Sequence, residues 1–233
     1  MMTRWLKFLL GVALLPLAYA LTRVFGDALL GQTLAKGVNQ MTAWFLGGFG
    51  VWLALSFLFP RPVRTYVLGH ELTHALWGIF MGAKVSKLRV SAKGGSVTLD
   101  KTNMWITLAP YFFPFYTILA LAIYVALGWW IDVSTYTPFF YAVYGATWCF
   151  HLVFTIQMLG IRQPDIQEHG RLFSYVVIYC INLAVAALLL LVLTEQAPLA
   201  MARETWEQTR HAYAASLAGL RYLNSQMAGG AFW

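Results

Sequence analysis

Residues 66–82 read YVLGHELTHALWGIFMG, and this run decides how the chain is read. Two histidines and a glutamate (His70, Glu71 and His74) stand in a segment that is otherwise almost wholly apolar. Ionisable groups among hydrocarbon are expensive, and a chain keeps them there for a function by default. The spacing His-Glu-x-x-His puts the two imidazoles one helical turn apart on one face, where both can point at a single ion. Neutral imidazole nitrogen suits Zn²⁺. The glutamate between them need not be a ligand. It can hold and deprotonate a water bound to the metal. With five His and five Glu in 233 residues, chance supplies this pattern about 0.002 times per chain. The competing reading is a pair of core histidines satisfied by hydrogen bonds.

The surroundings say membrane. Hydrophobic residues make up 60% of the chain and charged residues 11%, with a mean hydropathy of +0.63; a soluble domain is nearer half apolar and a quarter charged. A span takes about 20 apolar residues, and spans are expected at 5–25, 41–60, 104–129, 137–160 and 172–194, with 66–82 a shorter sixth candidate. The first, WLKFLLGVALLPLAYALTRVF, follows Arg4 and Lys7 as a signal peptide would, but its apolar run is long and Arg23 stands where small residues should mark cleavage. It is read as a retained span. The expected fold is an all-α polytopic membrane protein of five to six membrane helices with a small membrane-associated β-hairpin. Residues 1–65 would form two N-terminal spans, 66–195 the membrane core and 196–233 an amphipathic tail.

The hairpin is expected at 84–99, within AKVSKLRVSAKGGSVTLDK (83–101), where spaced apolar residues flank Gly94-Gly95 as the turn. Pro60 and Pro62 separate the second span from the histidine helix. Pro110 and Pro114, inside the next apolar run, free backbone carbonyls; in a membrane this is tolerated where protein or a polar cavity satisfies them, so this helix start should face the interior. The net charge of +7 is carried mostly by loops beside spans. It points to anionic lipid headgroups as partners, with no nucleic acid. Cys149 and Cys180 sit in apolar helices and read as buried free thiols. Short loops and a lean architecture suggest a bacterial inner membrane.

Two histidines leave a catalytic zinc site one protein ligand short. A third histidine six residues after His74 is absent, since Phe80 stands there. Ligand types in or beside spans are few: His151, Asp165, Glu168 and His169, three of them in IRQPDIQEHG (161–170). Asp165 is the choice, a hard carboxylate presented by the turn at Pro164. His169 is the alternative. Asp165-x-x-Glu168 also fits a helix-capping pattern, and His151 reads as an interior histidine or a support for the site.

The segment GHELTHALWGIFMGAKVSKLRV resembles the site-2 protease family of intramembrane zinc metalloproteases, and Pro164-Asp165 matches that family's third-ligand motif loosely, without its Leu-Asp-Gly. The resemblance covers about 66–175. It implies zinc held by His70, His74 and Asp165, Glu71 as general base, and hydrolysis of a peptide bond in or near a transmembrane segment of a membrane-protein substrate. Strand addition to the hairpin could hold that substrate extended, with Asn103 or Asn182 as the oxyanion donor. Three other readings fit less: a membrane zinc hydrolase of small or lipidated peptides, a non-catalytic membrane-protein-binding relative, which has no need of Glu71, and a metal transporter, for which the first two spans offer no ligands. The sequence leaves the oligomeric state open.

Overall fold

A computed structural model describes residues 3–91, 94–194 and 197–229. The helices in chain order are α1 (Arg4–Ala13), α2 (Leu15–Lys36), α3 (Gln40–Leu58), α4 (Val63–Phe80), α5 (Met104–Phe112), α6 (Phe115–Leu127), α7 (Thr137–Leu159), α8 (Pro164–His169), α9 (Arg171–Thr194) and α10 (Pro198–Gly229). Strands β1 (Val85–Ser91) and β2 (Gly94–Leu99) lie between α4 and α5 and pair antiparallel. Among the described residues four helices are long and apolar enough to cross a membrane, or five when the bent pair α5–α6 counts as one. The protein is therefore an all-α multi-pass membrane protein with one small hairpin. The histidine helix α4 is not among those spans.

The chain divides into two compact units. In the first, Met1–Gly37 with Tyr179–Trp233, α10 packs along α2. Val24, Leu190 and Met201 form its buried cluster, and the Tyr213 hydroxyl donates to the Ala13 carbonyl at 2.7 Å. The tail is thus a packing helix, with Trp206, Leu217 and Leu220 left exposed.

The second unit, Val38–Ile178, carries His70, Glu71 and His74. Asn39 caps α3 through its side chain, which accepts from the Thr42 N–H at 2.8 Å. Helices α3 and α7 touch backbone to backbone: a Cβ at Gly48 would collide with Ala142, and one at Gly145 with Phe45. They run parallel, since Trp52 meets Phe150 and Arg61, just past the end of α3, meets Gln157 near the end of α7.

Helix α4 ends in a Schellman turn. Gly82 takes φ +75°, its N–H bonds the Ile79 carbonyl at 2.9 Å and the Ala83 N–H bonds the Gly78 carbonyl at 2.7 Å. This turn sends the chain straight into β1. The glycine pair is not the hairpin's turn. Gly94 and Gly95 belong to β2, opposite Ser91 and Val90, and Ala92-Lys93 between the strands lies outside the described residues. The apolar run expected as one span at 104–129 breaks between α5 and α6 with a bend of 76°, where Pro114 denies the helix a donor. Every residue from Ile106 to Phe112 of α5 is buried, so this helix start faces the protein interior.

Candidate metal centre

Helix α4 buries the face bearing Val67, Glu71, His74 and Gly78 against α5 and the hairpin. His70 and His74 fall one turn apart, and their Nε2 atoms stand 3.2 Å from each other. Asp165 arrives from α8, a six-residue helix opened by Pro164 and closed by Gly170 at φ +86°. Its Oδ2 lies 3.5 Å from each of the two Nε2 atoms. Among the described residues this is the group of side chains placed to share one metal ion.

Each donor is held from behind. His74 Nδ1–H donates to the Ile106 carbonyl at 2.8 Å, which fixes the tautomer and leaves the Nε2 lone pair facing the centre. That carbonyl is available for a stated reason. In an α-helix it would accept from the N–H of residue 110, and residue 110 is proline. His70 Nδ1 pairs with the Tyr66 hydroxyl at 3.1 Å, one turn back on the same helix, and Tyr66 stacks on Phe154 with ring centroids 4.5 Å apart. The buried Tyr111 hydroxyl donates to Asp165 Oδ2 at 3.0 Å. Burial raises the Asp165 carboxyl, but when protons and not a metal occupy the two Nε2 positions, the hydrogen bonds and charge of the His70 and His74 imidazoles hold it well below the usual carboxylate range.

The donor set fits a divalent metal of zinc's preferences. Zinc takes nitrogen and oxygen donors at about 2.0–2.2 Å in a tetrahedron, which separates any two donors by roughly 3.3 Å. The three separations here, 3.2, 3.5 and 3.5 Å, match that spacing.

Glu71 is buried beside His70 and takes a hydrogen bond from the Val97 backbone N–H. Strand β2 lies directly on it: a Cβ at Gly95 would stand 2.6 Å from Glu71 Cγ. An open cavity of about 400 Å³ reaches all four side chains, with β2 as one wall, Thr107 and Ile106 of α5 as another, and Gln163-Pro164 at its rim.

No protein family, curated protein or solved structure matches this chain. What the centre can do is read from its donors and their geometry.

Other residues singled out in the sequence are placed elsewhere. His169 is buried and pairs through Nε2 with Thr107 Oγ1 at 2.6 Å, tying α8 to α5 without joining the metal group. Asp165 is no helix cap, because Gln163 holds the capping position and Asp165 sits inside the first turn. His151 lies across a cavity of about 20 Å³ from His70, beside Tyr116 and Thr147. Asn103 caps α5 through Oδ1, at 2.9 and 3.1 Å from two backbone N–H groups, and its Nδ2 faces Met81 Sδ at 3.1 Å. Asn182 belongs to the first unit. Two supports escaped the sequence reading, Tyr66 and Tyr111; the Ile106 carbonyl is the one that Pro110 was expected to free. Tyr66 carried a signal, since it stands four residues before His70 on the same helical face. Tyr111 carried none.

Proposed function

We propose that the protein is an intramembrane zinc metalloendopeptidase of the site-2 protease type, which hydrolyses a peptide bond in or beside a transmembrane segment of a membrane-protein substrate. One observation carries the reading: three ligand atoms converge at tetrahedral spacing beside a buried glutamate, in a cavity walled by a β-strand. His70, His74 and Asp165 would hold the metal, and Tyr66, the Ile106 carbonyl and Tyr111 would keep them aimed. Bound zinc supplies Lewis acidity and brings the pKa of water toward ~7.

The protein's own work is positioning and proton transfer. Glu71 takes a proton from the attacking water as the new C–O bond forms. It returns that proton to the amide nitrogen as the C–N bond breaks, so acid and amine products balance peptide plus water. A substrate helix hides its carbonyls in its own hydrogen bonds and must be extended first. The wall formed by Gly95, Ser96, Val97 and Leu99 gives an extended segment backbone groups to lie along. A binding protein without catalysis would have no use for Glu71 in this position.

The test uses wild type and Glu71→Gln, each reconstituted with a total membrane-protein extract. New amino termini are labelled and metal content is measured in parallel. The expected result is zinc in both proteins, and cleavage within or next to transmembrane segments by the wild type alone, abolished by a chelator. A zinc-loaded wild type that generates no more new termini than Glu71→Gln would refute the reading.

A further inference from the structure

Another cavity, of about 280 Å³, opens where α3 ends and the chain turns through Pro60-Arg61-Pro62 toward α4. It is lined by Trp52, Leu55, Phe59, Arg61 and Phe154, and it shares no residue with the metal centre. Two of its polar groups are under-used. The Trp52 indole N–H is buried with no hydrogen-bond partner, and a buried orphan donor is costly unless something accepts from it. Arg61 gives its Nε to the Ser56 carbonyl at 3.3 Å, and the Gln157 amide oxygen, turned toward it, accepts at 3.0–3.2 Å. Both acceptors are neutral. Among the described residues no carboxylate lies within ion-pair distance of Arg61. Neutral oxygens neither cancel the charge nor use the whole guanidinium fork.

The position says what kind of anion would complete the pair. Because α3 and α7 run parallel, Arg61, Arg64 and Arg162 gather at one end of the two spans, where a bilayer presents its headgroups. Apart from Ser56, whose hydroxyl is spent on the Leu53 carbonyl at 2.7 Å, the remaining lining is apolar and aromatic, suited to the start of acyl chains.

We propose that this cavity binds the phosphate group of an anionic phospholipid, with Arg61 and the Trp52 N–H as its donors. Phosphate offers acceptor oxygens to both donors at once and matches the guanidinium fork. A soluble phosphate could satisfy the same donors, but it would leave Leu55, Phe59 and Phe154 facing water.

Native mass spectrometry of the delipidated full-length protein, with phosphatidylglycerol, phosphatidylcholine and inorganic phosphate as separate probes, tests this. Phosphatidylglycerol should be retained by the wild type. Retention should fall by about tenfold or more in Arg61→Gln and by about threefold in Trp52→Phe, reflecting one charged and one neutral hydrogen bond. It should hold in Arg64→Gln, a change of the same charge on the same loop. Circular dichroism and size-exclusion profiles, unchanged in all three variants, report an intact fold without reference to the metal and separate this test from that of the hydrolase. Equal small losses in Arg61→Gln and Arg64→Gln would reduce the effect to diffuse surface charge and overturn the site, as would full retention by Arg61→Gln. Inorganic phosphate held as well as the lipid would overturn the lipid as the source.

Discussion

Replacing Pro110 by alanine should strengthen the fold and weaken the metal site at once. The proline withholds the N–H that the Ile106 carbonyl would accept in an unbroken helix, and that carbonyl instead takes His74 Nδ1–H at 2.8 Å. Pro110→Ala restores the competitor. Proline in a helix interior costs about 3 kcal/mol relative to alanine, so the metal-free protein should gain stability, in part offset by a small cavity at this buried position. His74 must then share the carbonyl or lose it. Removing the partner behind a ligating histidine typically lowers metal affinity by about 10- to 100-fold. The assay is a competitive zinc titration against a chelating dye, with the melting temperature of the metal-free protein measured beside it. A falling affinity with a steady or rising melting temperature has no explanation in general damage. Unchanged affinity would refute the claim that the freed carbonyl orients His74.

Four further substitutions separate the parts of the centre. Gly95→Ala should leave zinc bound and impair cleavage: the new Cβ would stand 2.6 Å from Glu71 Cγ and 2.9 Å from the Arg89 carbonyl, so Glu71 must retreat by roughly 0.8 Å to reach ordinary 3.4 Å contact. A displacement of that order can cost about 100-fold in rate. Gly78→Ala, which meets the rotatable Leu99 methyls at 3.0 and 3.1 Å and makes ordinary contact with Ala83 Cβ at 3.7 Å, should remain near wild-type activity in the same cleavage assay. Asp165→Ala should lose zinc on dialysis while His169→Ala keeps it. The reverse pattern by elemental analysis would move the third ligand to His169.

What the sequence made legible follows from which forces are local. His70, Glu71 and His74 could be read because helical spacing alone puts two imidazoles on one face, and an apolar background makes each charge conspicuous. Asp165 could be reached because so few ligand types exist near the spans. Its short helix could not, since Asp165-x-x-Glu168 fits the cap of a following helix equally well, and packing against α5 through Thr107–His169 and Tyr111–Asp165 fixes its place. The pairing of α10 with α2 was likewise out of reach. Periodicity names the face a helix buries, and nothing local names its partner.

Gly94-Gly95 and Pro110 share a deeper lesson. Local chemistry assigns glycine pairs to turns and proline to helix ends. Here Gly95 sits in a strand because β2 must lie on Glu71 with no side chain between them, and Pro110 sits in a helix because His74 needs the carbonyl that an ordinary residue would occupy. Each residue breaks a secondary-structure preference at a point of contact with the centre. The glycine-turn expectation fails and the freed carbonyl at Pro110 holds for the same physical cause: a backbone group or a space that the regular element would have consumed is given to the site instead.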